Sequence, residues 1–270
     1  MSSTTFSVVC FISMSVFYAC VVQAGKRQIL DMSYEISEDT PQFPGDPPFE
    51  FTILYREYIF PDTYLELNKF CAVDHIGTHM DAPSHFFEGG ERIQDISLDR
   101  LIGKAVKIDI KAKADADSDA ELTVADLQAW ENDNGRIRKD SIVIVYTGWG
   151  SRYPDRLSYY GTLAMDGTGL HYPGIHPDAA QFLVDRKVTS VGIDTPSVDH
   201  GPSHSYATHK IFTSSGVIGL ENVANVDQLP SEGATIYAIP LKIKDGSGSP
   251  SRIFAIWWPG NTSSGGNSEC

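Results

Sequence analysis

The sequence predicts a single α/β domain. Short runs rich in β-branched and aromatic residues recur along the chain, and segments with helical start signals fall between them. The runs lie at 105–110 (AVKIDI), 141–146 (SIVIVY), 190–193 (SVGI), 235–240 (TIYAIP) and 253–258 (IFAIWW). Several lack the polar alternation of a half-exposed strand, so both faces of the sheet are expected to be covered. Residues 123–131 open on Thr123, with Asp126 three positions later in the form of a capping box. Residues 177–187 open on a proline, whose fixed φ and missing N–H suit a first helical turn. Residues 221–228 form a shorter helical candidate. No composition break marks a linker, so one domain is expected over residues 25–260.

The chain has 270 residues, with 21 Lys plus Arg against 35 Asp plus Glu, a net charge of −14. That balance, with no compensating basic block, sets nucleic acid aside as a partner. Four cysteines cannot build a disulfide framework, so stability must come from a core. Two of them fall in the first 20 residues, inside an uncharged run at 6–22 that is followed by Ala24 and then Lys26-Arg27. Residues 1–24 therefore read as a secretory signal cleaved after Ala24, which predicts a secreted protein with no further membrane segment. Asn261-Thr262-Ser263 is a glycosylation sequon in a polar tail, 261–270, expected to be flexible. Cys71 is expected to be a small buried residue, and a bridge to Cys270 stays open.

The chemistry concentrates between His75 and His85. His75, His79, Asp81 and His85 lie within eleven positions, interrupted by Gly77 and Pro83. Zn²⁺ and Mn²⁺ take imidazole nitrogen and carboxylate oxygen, and a local cluster lets one segment fix several such donors together. Gly77 and the Asp81-Ala82-Pro83 step argue against a helix, so the donors are expected on a loop or bent strand. No glutamate follows His75, which separates this pattern from the helical zinc-protease arrangement. The competing reading is a group of hydrogen-bonded structural histidines.

Residues 75–86 match the pattern HxGTHxDAPxHF without a gap, and in this the chain resembles the cyclase-like metal-dependent hydrolases, which include bacterial-type kynurenine formamidase and isatin hydrolase. The likeness continues through Phe43-Pro44-Gly45-Asp46, Thr147-Gly148-Trp149 and Gly192-Ile193-Asp194-Thr195 to His209 and Glu221. The resemblance implies a compact α/β domain whose central β structure is barrel-like and flanked by helices, and commonly a homodimer. It implies His75, His79 and Asp81 as metal ligands and His85 as the acid/base histidine. His209 and Glu221 would complete a site for one or two divalent ions, with Asp81 and Glu221 able to bridge them. The implied reaction is hydrolysis of a small aromatic amide, either an arylformamide such as N-formylkynurenine or a cyclic amide such as isatin. Family formamidases typically carry tryptophan where this chain has Phe43, so the ring contact is kept while the indole N–H is lost. Phe43 and Trp149 are the expected substrate-contacting aromatics. A secreted binding protein that keeps the scaffold without turnover is the alternative.

Other features are set aside. Residues 115–119 open like a calcium loop, but Ala120 replaces the turn glycine and Asp126 the bidentate glutamate, so a solvated acidic loop is expected. His171, His176, His200 and His204 follow no ligand spacing. No Gly-x-Ser-x-Gly elbow is present, which disfavours a serine hydrolase.

Overall fold

The computed structural model describes residues 25–259. The expected signal segment, the sequon, the polar tail and Cys270 lie outside the described residues. From the N-terminus, β1 (Gln28–Asp31) leads to a hairpin, β2 (Glu50–Phe60) and β3 (Thr63–Cys71), and then to the short β4 (His79–Asp81). Next come β5 (Ile102–Asp109), α1 (Lys111–Ala116), β6 (Glu121–Leu122), α2 (Val124–Asn134) and β7 (Ile142–Tyr146). α3 (Arg156–Tyr160), β8 (Gly174–Ile175), α4 (Pro177–Asp185) and β9 (Ser190–Ile193) follow. α5 (Ala207–Ser214), β10 (Ile218–Glu221), β11 (Thr235–Pro240) and β12 (Gly248–Trp257) complete the fold.

Seven strands close into a barrel in the order β12-β11-β5-β7-β9-β10-β4 and back to β12. β5, β7, β9 and β10 run parallel, and the remaining pairings are antiparallel. Closure depends on the length of β12. Its first residues, Gly248 to Pro250, pair with β4, and Ser251 onward pairs with β11. The covered faces expected from the apolar runs are present. In β7, Ile142 and Ile144 join Met80, Leu220, Ile236 and Ile253 in one buried cluster, drawn from strands around the barrel. Val143 and Val145 instead pack with Leu127, Ala179, Leu183 and Phe212 from α2, α4 and α5. Each such side chain, fully removed from water, contributes roughly 1.5–3 kcal/mol. Among the described residues no helix is long and apolar enough to cross a membrane.

Three expectations are corrected. The helix expected at 221–228 is reduced to one 3-10 turn at Val226–Gln228: Ile218–Glu221 is a buried strand between β9 and β4, and Asn222 and Asn225 take left-handed conformations that interrupt a regular helix. The acidic segment at 115–119 is not all loop, because Asp115 lies in α1, where Lys111 pairs with it one turn away. Cys71 is exposed, at the end of β3. The capping reading of α2 holds, with the Asp126 carboxylate accepting from the Thr123 N–H at 2.8 Å and its hydroxyl at 2.6 Å.

The β2–β3 hairpin was not among the expected strands. Among the described residues it pairs only with itself. Every residue of β2 is exposed, including Phe51, Ile53, Tyr58 and Phe60, and β3 adds Tyr64, Leu67 and Phe70.

Candidate metal centre

The site is built on β4, which lies between β10 and β12. Successive residues of a strand point to opposite faces, so Met80 enters the barrel core while His79 and Asp81 share the other face. The same alternation on β10 sends Leu220 into the core and leaves Glu221 opposite His79. Asp81 has a glycine across from it on each side, Gly219 of β10 and Gly248 of β12. A Cβ at Gly219 would stand 2.9 Å from Asp81 Oδ2, and one at Gly248 would stand 2.4 Å from His75 Cε1. The two glycines leave room for the side chains of the site.

His209 arrives from α5, and four donors then converge. His79 Nε2 lies 3.2 Å from Asp81 Oδ1 and 3.3 Å from Glu221 Oε2. His209 Nε2 lies 3.4 Å from Asp81 Oδ2 and 3.1 Å from Glu221 Oε1. All four residues are at most 5% exposed. The outer nitrogens are tied back: His79 Nδ1 donates to the Gly77 carbonyl at 2.9 Å, and His209 Nδ1 donates to Asp199 Oδ2 at 2.6 Å. Each bond places a proton on Nδ1 and leaves Nε2 as the ring nitrogen that faces the carboxylates. Glu221 is held in turn by the Val198 N–H at 2.8 Å.

His75 completes the near wall, with Nδ1 2.8 Å from Asp81 Oδ1 and Nε2 3.0 Å from the Ser247 hydroxyl. His85 stacks on His75 with ring centroids 3.8 Å apart, its backbone fixed by a turn from His85 N–H to Ala82 C=O. His75, His79 and Asp81 each offer a ligand atom within 4.8 Å of one another, and so do Asp81, His85 and His209.

The electrostatics show what the cluster seeks. Burial pulls the His79 imidazole down, but its bonds to Asp81 and Glu221 outweigh that and raise it to about 10. His209 is likewise raised despite burial, by the Glu221 charge and the bonds to Asp199, Asp81 and Glu221. Burial pushes Asp81 up, yet His209, His75 and His79 hold it well below the usual carboxylate range. Glu221 is also held low by the two imidazoles, against burial and the charge of Asp81. Burial pushes His85 down to about 4. The buried oxygen Asp81 Oδ2 is met by no well-aligned hydrogen bond among the described residues, only by His209 Nε2 at 3.4 Å. Two anionic carboxylates and converging imidazole nitrogens fit a divalent cation, with oxygen and nitrogen ligands of the kind Zn²⁺ and Mn²⁺ accept.

A cavity of about 300 Å³ opens over this cluster, lined in part by His75, His79, His85, His209 and Glu221. Phe43 forms part of its wall and meets Tyr160 edge-on, with centroids 6.2 Å apart. Trp149, the other expected substrate contact, is not among the residues that line the cavity. It is 2% exposed, donates its indole N–H to the Tyr159 carbonyl at 2.8 Å, and carries the Arg152 guanidinium over its ring. The strand that precedes it delivers the indole to an aromatic cluster with Tyr159, Tyr160 and Tyr172. Sequence reasoning did not find Asp199, Gly219 or Gly248. Asp199 stands ten positions before His209, and only the fold of the intervening loop brings the two together.

The family model described as "Putative cyclase" matches residues 30–200. An isatin hydrolase of Roseibium aggregatum is 31% identical over 248 residues, covering 86% of this chain and 93% of its own. A kynurenine formamidase of Paracidovorax citrulli is 28% identical, covering 84% and 95% respectively. The solved structure of isatin hydrolase A from Labrenzia aggregata bound to benzyl benzoate superimposes with a TM-score of 0.78 at 31% identity, over 86% of this chain and 94% of that one. The family match over more than half of the chain, together with these relatives, shows that the chain belongs to the cyclase family.

Proposed function

We propose that this chain hydrolyses a small aromatic amide, an arylformamide or a cyclic amide of the isatin kind, with His75, His79, Asp81, His209 and Glu221 holding one or two Zn²⁺ or Mn²⁺ ions. The chain is a metal-dependent amidohydrolase by its relatives. The observation that carries the site reading is the convergence of the His79 and His209 Nε2 atoms on the Asp81 and Glu221 carboxylates, with both outer nitrogens tied back.

When bound, the cation supplies Lewis acidity, polarising the scissile carbonyl and making water a stronger acid. The rest falls to side chains. His85 at the cavity wall takes a proton from the attacking water and returns it to the leaving nitrogen. Phe43 and Tyr160 offer apolar faces to the aromatic ring. Asp199 holds His209 in the tautomer that presents Nε2.

Secretion and a homodimer belong to the same reading. A lone two-stranded hairpin is marginal in water, and the exposed apolar side chains of β2 and β3 favour burial against a second copy. Metal analysis of purified protein, followed by assays on formanilides and isatin with and without chelator, tests the proposal. Stoichiometric metal, and hydrolysis abolished by chelator and restored by Zn²⁺ or Mn²⁺, is the expected result. A metal-loaded protein inert toward every amide would favour a binding protein on the same scaffold.

A further inference from the structure

We infer that Arg156 is a positioning residue for the aromatic side of the cavity: it pins the turn that carries Phe43 against the helix that carries Tyr160. The inference rests on the amide-hydrolase reading and deepens it, because these two rings are the ones proposed to face the ring of the substrate. Arg156 itself is not on the cavity lining, so it acts through them.

The two rings reach the wall from separate parts of the chain. Pro41, Phe43 and Asp46 line it from a segment outside any strand or helix, turned by a bond from the Asp46 N–H to the Phe43 carbonyl at 3.1 Å. Tyr160 ends α3, and Arg156 opens the same helix four positions earlier, so the two side chains share a face. The guanidinium stands over the Tyr160 ring, 5.0 Å from its centroid, and Nη1 donates to the Gln42 carbonyl at 2.7 Å. Among the described residues this is the only hydrogen bond that ties residues 41–48 to the rest of the chain. Nε and Nη2 are buried and meet no acceptor among the described residues. A desolvated cation with no bonded carboxylate lowers stability, so its presence calls for a reason other than folding. The geometry supplies one. A planar group that bonds the residue before Phe43 and stacks on Tyr160 sets the two rings relative to each other, edge-on at 6.2 Å. Without it, Phe43 relies on apolar packing against the Tyr160 cluster.

Steady-state kinetics of the metal-loaded protein test this, on whichever of formanilide and isatin it hydrolyses, with Arg156→Met and Arg156→Lys made alone and beside Phe43→Ala. Arg156→Met is expected to raise KM by about tenfold or more, the scale of one hydrogen bond from a charged group, with kcat within about twofold. Lysine keeps the charge without the planar fork, so Arg156→Lys should raise KM by a smaller factor, and it carries the test if Arg156→Met does not fold. Beside Phe43→Ala neither substitution should raise KM further, because the ring that Arg156 places is gone. An unchanged KM in the folded variant overturns the inference alone. So does a fall in kcat with KM unchanged, which lost folded protein would give, or a full rise in KM that persists beside Phe43→Ala. Failure of the unaltered protein to hydrolyse either compound overturns the amide-hydrolase reading and this inference with it.

Discussion

The strands around the metal centre and the β2–β3 hairpin obey the same alternation and end in opposite states. In β4 each side chain has a destination within the chain: Met80 goes into the barrel, and His79 and Asp81 go to the donor cluster. In β2 none has one, and Phe51, Ile53, Tyr58 and Phe60 remain exposed on a ribbon that pairs only with β3. A closed barrel removes its own edges, whereas a two-stranded ribbon cannot bury both its edges and its faces. The difference separates what the chain completes internally from what it presents outward: the donor cluster belongs to the first region, and the second is the surface that the proposed dimer would use.

The largest effects should come from the site. His85→Ala is expected to lower kcat by about 10²–10⁴ while metal content stays at the unaltered level, because a general acid–base group is lost and the other donors remain. Parallel loss of metal would make His85 a ligand, as its place in the second donor group with Asp81 and His209 allows. Asp199→Asn should weaken metal binding by about 10- to 100-fold, read by competition with a chromophoric chelator, because His209 loses the acceptor that sets its tautomer. Unchanged affinity would show that the bond from His209 to Asp199 is structural only.

A smaller effect tests the cradle beside Asp81. Gly248→Ala places a methyl 2.4 Å from His75 Cε1 and 2.7 Å from the Met80 carbonyl, so side chain or backbone must shift. Overpacking of this kind costs about 1–3 kcal/mol, to be seen in chemical denaturation, with weaker metal binding alongside. Unaltered stability would mean that β12 moves freely here, against the reading that Gly248 is needed to leave room for the side chains of the site.

How much of this was legible beforehand follows the range of the interactions. The 75–85 cluster could be read because its donors lie close in sequence and its glycine and proline exclude a helix. The strands at 141–146 and 190–193 could be read because burial on both faces leaves uninterrupted apolar runs. His209 and Glu221 came only through family likeness, since nothing in their own neighbourhood marks them as donors. Residues 221–228 were misread because Glu221 ends a strand whose partners, β9 and β4, are distant in sequence. Trp149 could have reached the cavity or the core, and its indole N–H found an acceptor in Tyr159 behind the wall. The hairpin escaped because apolar residues crowd both of its faces, as no one-sided or wholly buried strand would have them.

That crowding gives the smallest expected effect on the chain itself and the clearest on its assembly. Phe51 and Phe70 face each other across the ladder, and both are exposed. Phe51→Lys combined with Phe70→Glu removes two aromatic rings and substitutes an opposite-charge pair, which supports the ladder by about 0.2–1 kcal/mol. Exposed substitutions of this kind usually change the stability of a chain by no more than about 0.5 kcal/mol. The hairpin should therefore survive, with far-UV circular dichroism unchanged. If a second copy covers these faces, burying a charge pair opposes docking, and light scattering should report one chain where the unaltered protein reports two. A two-chain mass that persists in the double variant would place the dimer contact elsewhere on the molecule and leave the hairpin's apolar faces to another partner.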